Sequence, residues 1–190
     1  MTCSKGVPDD FYGKIRRRLY QRIGRELALA HRILDLGCGN CDLVRFLRKA
    51  YEQRVTGVDI SNNRMPRQDD PSRSQSPMRC IQGNAGHLAF LKDGAVDAVI
   101  TTWAVHEMED AGAAVREAYR VLRPGGEMLI VDFPKGSLAQ RLWNEAYLTD
   151  SEVSNLLESA GFVRVRVRKI FREQVIWAVG FRAPKQGAEV

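Results

Sequence analysis

The sequence lacks the segments that would attach the chain to a membrane or direct it to secretion. No apolar run reaches the length of about 18 residues that a membrane-spanning helix needs. Residues 1–10 have no apolar core of the kind found in secretory signals. These absences predict a cytoplasmic protein without a membrane partner. Cysteine is also scarce, with only Cys3, Cys38, Cys41 and Cys80, and in that compartment we expect reduced thiols.

The length and composition limit the class of protein. A chain of 190 residues is too short for a two-domain dehydrogenase or kinase, so we predict a single domain over residues 1–190. Hydrophobic residues make up 44% and charged residues 27%, which is a globular balance. The net charge of +6 and the pI of about 9.3 allow an acidic partner without identifying one.

The apolar pattern predicts strands that alternate with helices after a leading amphipathic helix at residues 11–30. Short apolar runs predict strands at 32–36, 54–59, 78–82, 96–101 and 127–132. The tail differs, because 163–168 alternates strictly and 175–181 is continuously apolar, with too few residues between them for a crossover helix. We therefore predict an α/β fold with a doubly wound seven-stranded sheet, mostly parallel, with an antiparallel last strand inserted between strands 5 and 6.

One segment fits no regular element. Residues 61–79 contain three prolines, four serines and four arginines, and few large apolar residues. We predict a mobile loop there, at a place where a doubly wound fold usually has a helix.

The turn after the first strand, Gly37-Cys38-Gly39, carries the most chemical information. In an open parallel sheet, ligands bind beyond the carboxyl ends of the strands where the strand order reverses. The two glycines let the backbone approach a ligand closely. Asp59 ends the second strand, 20 residues after Gly39, where a carboxylate can accept hydrogen bonds from a ribose diol. The turn and the carboxylate together predict an adenosine-containing ligand.

The charges around this turn favour a cationic ligand. A dinucleotide fingerprint would have a third glycine at position 42, but the chain has Asp42, whose negative charge would repel a pyrophosphate. Asp35, within the first strand, adds a second negative charge. A sulfonium or an ammonium group fits this arrangement, and an NAD-linked oxidoreductase is a disfavoured alternative.

Five segments in the expected order make the chain resemble the class I S-adenosylmethionine-dependent methyltransferases over roughly residues 11–183. They are the glycine motif at 33–42, the acidic strand end at 58–60, the adenine-contacting segment at 82–90, the fourth strand with its active-site loop at 96–106, and the turn at 121–126. The resemblance implies S-adenosylmethionine as the cofactor. It implies cofactor contacts at Asp35, Gly37, Cys38, Gly39, Asp59, Ile60, Asn84, Ala85 and Thr102.

The same resemblance implies a role for several of these residues. The 37–39 turn would lie against the methionine portion of the cofactor, and Asp59 would hold the ribose hydroxyls. Ile60 would pack on the adenine, and Asn84 would accept a hydrogen bond from its amine in place of the family's more frequent aspartate. Cys41 stands where the motif commonly has a third glycine, which is a departure within the turn.

Other chemistry-bearing residues leave two interpretations open. His106 follows the fourth strand and is a candidate general base near the methyl acceptor, or alternatively a structural loop histidine. Glu107 is a further candidate base. Cys38 and Cys41 have the spacing of a metal or redox pair, but no second pair occurs and both lie in the ligand turn, so we predict no metal site.

Aromatic residues are candidates for the wall of an acceptor pocket. They are Tyr12, Tyr20, Trp103, Trp143 and Tyr147. Trp143 and Tyr147 fall on a predicted helix at 138–147, and packing of that helix onto the core would explain them equally well.

The sequence thus predicts transfer of a methyl group to a small-molecule nucleophile by in-line displacement. Because positioning supplies most of the rate in such a reaction, no catalytic triad is expected. The alternative is a catalytically silent cofactor-binding module that acts on nucleic acid or a protein partner through six basic residues between positions 14 and 25. The sequence leaves the oligomeric state open.

Overall fold

The computed structural model of the protein describes residues 10–63, 65 and 79–184. The strands are β1 Arg32–Leu36, β2 Arg54–Asp59, β3 Arg79–Gln82, β4 Val96–Thr102, β5 Leu122–Asp132, β6 Val163–Ile170 and β7 Val175–Phe181. The helices are α1 Phe11–Glu26, α2 Asp42–Tyr51, α3 Ala111–Val121, α4 Leu138–Trp143 and α5 Asp150–Ser159. Most of the predicted loop at 61–79, and position 78 of the predicted third strand, lie outside the described residues.

The described residues form a seven-stranded sheet with the order β3-β2-β1-β4-β5-β7-β6. Strands β1 to β5 pair in parallel. Strand β7 runs antiparallel to both β5 and β6. The predicted fold class is confirmed, including the insertion of the last strand between the fifth and the sixth. The strand order reverses between β1 and β4, so a crevice opens at their carboxyl ends.

Helices cover both faces of this sheet. The apolar stripe of α1 is buried with α2 against one face, which includes Ile33 and Trp177. The buried sides of α3 and α5 cover the other face, which includes Leu34 and Val99. Neighbouring residues of β1 therefore belong to different cores, as expected for a strand that is covered on both sides.

Several boundaries differ from the sequence prediction. Strand β5 begins at Leu122 rather than at 127, because the chain stays paired with β4 through a register shift near Val96. Helix α4 ends at Trp143 rather than at 147, because Asn144 takes a left-handed conformation with φ of 54°. The leading helix α1 also ends four residues earlier than predicted, although Leu27 is still buried.

The tail follows its pattern closely. Thr149 and Glu152 form a capping box at the start of α5. The exposure of β6 alternates along this edge strand, whereas β7 is buried nearly throughout. None of the described helices combines the length and the apolar character that crossing a membrane would require.

Candidate active site

A cavity of about 620 Å³ opens at the carboxyl ends of the central strands. Its wall is formed by the turn after β1, the ends of β2 and β3, a 3-10 turn at Val105–Glu107 and the start of α3. Five of the predicted cofactor-binding residues line it, namely Gly37, Asp59, Ile60, Asn84 and Ala85. The crevice predicted from the strand order is therefore a pocket large enough for a small molecule.

The glycine turn is held against the end of β2 by its own backbone. The N–H groups of Gly37 and Cys38 both donate to the carbonyl oxygen of Val58, at 2.8 and 3.1 Å. Gly37 has a left-handed φ of 74°, and a Cβ there would collide with the side chain of Ala104. Gly39 is also left-handed, with φ of 51°, but its missing Cβ faces open space. The turn thus presents bare backbone toward the crevice.

Asp59 links the turn to the pocket. Its Oδ2 accepts a hydrogen bond from the N–H of Gly39 at 2.8 Å, and its Oδ1 accepts one from the N–H of Ser61 at 2.9 Å. Each carboxylate oxygen can accept a further hydrogen bond. The backbone of Gly39 and Ser61 therefore fixes the Asp59 carboxylate, which remains able to bind a diol.

The surroundings of Asp35 test whether a cationic cofactor fits this site. Its side chain is 1% exposed, and neither carboxyl oxygen has a hydrogen-bond partner among the described residues. Burial, and then the negative charge of Asp59, raise the pKa of Asp35 to about 8. A buried carboxyl group without a partner is costly. An ammonium or sulfonium cation beside the glycine turn would relieve this cost, so the residues fit S-adenosylmethionine.

The pocket also contains acidic residues that the sequence analysis did not identify as cofactor contacts. Glu107, Glu109 and Asp110 line the side opposite Asp59. Asp110 accepts a hydrogen bond from the N–H of Ala113 at 2.7 Å and so caps α3. These acidic residues lie between β4 and the start of α3, and that position in the sequence could have predicted that they line the crevice. Their charges favour a cationic occupant.

Four predicted cofactor-binding residues lie outside the cavity wall. Asp35 and Gly39 adjoin the turn as described above, and Thr102 ends β4. The side chain of Cys38 points away from the pocket and packs on β2, where a Cβ at Gly57 would lie 2.7 Å from the Cys38 sulfur. Only the backbone of Cys38 is available to a ligand.

The prediction of four reduced thiols is wrong for two of the cysteines. Cys41 and Cys80 are joined by a disulfide in the structure, and Cys38 is a buried free thiol. The two cysteines are 39 residues apart in the sequence, so no local pattern indicated their contact. Strand β3 pairs Cys80 with Gly57, directly beside the turn that carries Cys41.

His106 does not line the cavity, and its side chain, 3% exposed, belongs to a hydrogen-bonded cluster at the end of β5. Its Nδ1 lies 2.7 Å from Oδ1 of Asp132, and its backbone N–H donates to Oδ2 of the same residue at 3.2 Å. Its Nε2 lies 3.2 Å from Oε2 of Glu145, which also accepts a hydrogen bond from the hydroxyl of Tyr147. Asp132 fixes the orientation of the imidazole ring and the proton on Nδ1.

The surroundings of His106 also change its basicity. Burial alone would lower the pKa of His106, but the hydrogen bond and charge of Asp132, with contributions from Glu107 and Glu145, raise it above its usual value. A histidine held by a buried carboxylate in this way is a stronger base than a free imidazole.

The aromatic residues form a packed cluster next to His106. Trp103 stacks on Phe133 with ring centroids 4.2 Å apart, and Tyr12 and Tyr147 meet Phe133 edge-on. Trp143 contacts Tyr12 from the exposed helix α4. Four of the five predicted aromatic residues are therefore brought together, whereas Tyr20 packs on Phe46 instead.

Much of the basic charge of α1 is engaged within the protein. Lys14 pairs with Asp10 at 2.7 Å and Arg16 with Asp42 at 3.9 Å. The guanidinium groups of Arg18 and Arg22 lie over the rings of Phe171 and Trp177. Four of the six basic residues thus have partners within the protein, and these contacts do not single out a nucleic-acid surface.

The sheet order, the glycine turn and the acidic strand end together define a class I S-adenosylmethionine-dependent methyltransferase fold. A family model described as "Methyltransferase domain" matches residues 34–130, and the chain belongs to that family. The resemblance noted in the sequence is confirmed.

Curated relatives and solved structures agree with this assignment. The chain is 33% identical to the 27-O-demethylrifamycin SV methyltransferase of Amycolatopsis mediterranei, over 61% of this chain and 44% of that protein. It is 34% identical to the ubiquinone/menaquinone biosynthesis C-methyltransferase UbiE of Vibrio parahaemolyticus, over 55% of this chain and 42% of that protein. Less than half of each relative is therefore matched. A SAM-dependent methyltransferase from Archaeoglobus fulgidus shares the fold, with a TM-score of 0.68 at 17% identity, over 90% of this chain and 97% of that one.

Proposed function

We propose that this protein is a S-adenosylmethionine-dependent methyltransferase that acts on a small-molecule nucleophile. The observation that carries the proposal is the buried carboxyl group of Asp35 beside the glycine turn, to which the described part of the chain offers no hydrogen-bond partner. A cationic amino acid moiety would pair with Asp35, and the ribose hydroxyls would bind Asp59. Ile60 and Asn84 lie on the same cavity wall and would contact the adenine. When bound, S-adenosylmethionine supplies a methyl group on a sulfonium, ready for displacement.

His106 is the residue that would accept a proton from the acceptor. Asp132 accepts a hydrogen bond from Nδ1 of the ring, which directs the basic lone pair of a neutral imidazole to Nε2. Glu145 lies beside Nε2 and is largely exposed, so an acceptor can displace it. A positioned general base of this kind contributes about 10²- to 10⁴-fold to the rate.

The aromatic cluster would keep water away from the reaction. Trp103 stacks on Phe133, and the Phe133 ring lies 5.8 Å from the His106 ring, centroid to centroid. In-line transfer needs the acceptor about 3 Å from the methyl carbon in a site that excludes water. Flat aromatic walls favour an acceptor with a planar or apolar body.

The names of the relatives support a small-molecule acceptor. One is a methyltransferase of a demethylated rifamycin and another is a C-methyltransferase of quinone biosynthesis. The engaged arginines of α1 weaken the alternative of a nucleic-acid-directed module.

The test is a calorimetric titration with S-adenosylmethionine, followed by detection of S-adenosylhomocysteine in the presence of acceptor panels. We expect saturable binding and product with small molecules that carry an acidic hydroxyl, amine or activated carbon. Failure to bind the cofactor would refute the proposal. Binding with product only on nucleic acid or protein would refute the small-molecule acceptor, and binding with no product on any panel would favour the catalytically silent module.

A further inference from the structure

Three buried sulfur atoms lie together behind the cofactor turn. The Sγ atoms of Cys38, Cys41 and Cys80 all lie within 4.8 Å of one another, and each side chain is buried. Cys38 and Cys41 come from the turn, whereas Cys80 comes from β3. The sequence showed only two cysteines at a metal-like spacing, and the fold supplies the third.

The spacing of these atoms suits a metal ion. The Cys38 and Cys41 sulfurs are 3.7 Å apart. Two thiolates bound to one Zn²⁺ at about 2.3 Å with a tetrahedral angle are about 3.8 Å apart. The Cα atoms of Cys41 and Cys80 are 6.9 Å apart, just beyond the usual range for disulfides of about 4.4–6.8 Å. Once that disulfide is reduced, an ion between the sulfurs needs little movement of the backbone.

The surrounding residues make room for this cluster and give it a negative environment. Gly57 pairs with Asp35 on one side and with Cys80 on the other, and its lack of a Cβ accommodates the Cys38 sulfur. A bound cation would stabilise the three thiolates directly.

We propose that the reduced protein binds one thiophilic cation of the Zn²⁺ type through the thiolates of Cys38, Cys41 and Cys80. A dithiol reductant first transfers two electrons and two protons to the Cys41–Cys80 disulfide and is itself oxidised to a disulfide. The three thiols then release three protons to solvent as the cation binds. The disulfide and the metal site use the same sulfur atoms and therefore exclude each other.

The experiment measures Zn²⁺ binding to the whole chain by competition with a chromophoric chelator. Protein reduced under argon and freed of reductant is compared with protein whose disulfide has been verified by counting thiols. We expect one Zn²⁺ per reduced chain and affinity lower by more than about 100-fold in Cys80→Ser, since even the loss of an outer partner of a metal ligand costs 10- to 100-fold. Cys3→Ser, at a cysteine outside the described residues, should bind like the wild type.

A second readout separates this site from other ligands. His106, Glu107 and Glu145 form another group that could hold a metal ion, and Cys80→Ser leaves that group intact. Titration with Cd²⁺ therefore follows the ultraviolet charge-transfer band that only thiolate ligands produce. Thermal unfolding of Cys80→Ser and Cys80→Ala confirms that the variants fold. Equal binding by wild type and both folded variants, or by oxidised and reduced protein, would overturn the proposal, as would absence of the band from the wild type.

Discussion

Two buried aspartates on different strands of the sheet have very different surroundings. Asp35 on β1 and Asp132 at the end of β5 are each 1% exposed. Asp132 accepts hydrogen bonds from the backbone of His106 and Phe133 and contacts the His106 ring. Asp35 has no hydrogen-bond partner among the described residues. The same buried carboxyl group is therefore hydrogen-bonded at Asp132, whereas at Asp35 the described residues offer it no partner.

The difference distinguishes a carboxyl group that binds a ligand from one that positions a neighbouring side chain. Asp132 makes three hydrogen bonds within the protein, two of them to His106, and is fixed in place to orient that residue. A buried carboxyl without partners is costly to the folded chain and is expected where a ligand supplies the missing partner. We therefore assign Asp35 to cofactor binding and Asp132 to the orientation of His106, and the following predictions test this division.

The largest expected effect is on kcat and comes from His106, the residue that Asp132 orients. We expect His106→Ala to lower kcat by about 10²- to 10⁴-fold, the usual contribution of a general base, and to change the Kd of S-adenosylmethionine less than twofold. The measurements are steady-state kinetics with an acceptor found in the panels and calorimetry with the cofactor. Unchanged kcat in the folded variant would assign His106 a structural role.

Asp132→Asn tests whether Asp132 acts through His106. Because Asp132 raises the pKa of His106, its loss should lower that pKa. The base is active when deprotonated, so the acid limb of the kcat profile should move to lower pH in the variant. A lower kcat with an unmoved limb would contradict the positioning role.

The next largest effect is on cofactor affinity, at Asp59. We expect Asp59→Ala to raise the Kd of S-adenosylmethionine at least tenfold, because each charge-assisted hydrogen bond contributes about 1.5–3 kcal/mol. Asp97 is a matched control, since it also accepts hydrogen bonds from two backbone N–H groups, those of His31 and Arg32, but lies outside the cavity wall. Asp97→Ala should lower the thermal stability without weakening cofactor binding. Similar Kd values for both variants would mean that the ribose site is elsewhere.

Asp35 should make cofactor binding depend on pH. Its pKa is raised to about 8 in the free protein, so the group must lose a proton before it can pair with a cation. Between pH 6 and 7 the Kd should therefore fall about tenfold per pH unit, the slope of one released proton. Asp35→Asn should bind more weakly and show a flat profile. Calorimetry in buffers of different ionisation enthalpy counts the released proton, and a flat wild-type profile would remove Asp35 from the cofactor site.

The sequence predicted the parts of this arrangement that depend on local pattern. The apolar periods predicted the strands and the antiparallel last strand, and the glycine spacing predicted the turn and Asp59. The groups that it missed are brought together across the sheet. The sequence identified Asp132 only as the last residue of a predicted strand. The parallel pairing of β4 and β5 brings it next to His106. Cys80 meets Cys41 only because β3 lies next to β2. Contacts between strands far apart in sequence leave no periodic signal.

The smallest expected effects are on the stability of the cofactor-free protein, and they have opposite signs. Asp35 has a raised pKa in the folded state, so it keeps a proton that the unfolded chain loses above about pH 4. Its contribution to the free energy of unfolding is therefore fully present below that pH and is lost as the pH rises toward 8. At pH 8 the Asp35→Asn variant should unfold at a higher temperature than the wild type.

The Asp132→Asn variant should instead be less stable than the wild type by about 1–3 kcal/mol, because the substitution disturbs a satisfied buried network. In a chain of this size, each kcal/mol lowers the melting temperature by roughly 2–4 °C. Scanning calorimetry at pH 5 and pH 8 measures both, and a loss of stability in Asp35→Asn equal to that in Asp132→Asn would mean that the two aspartates do the same structural work.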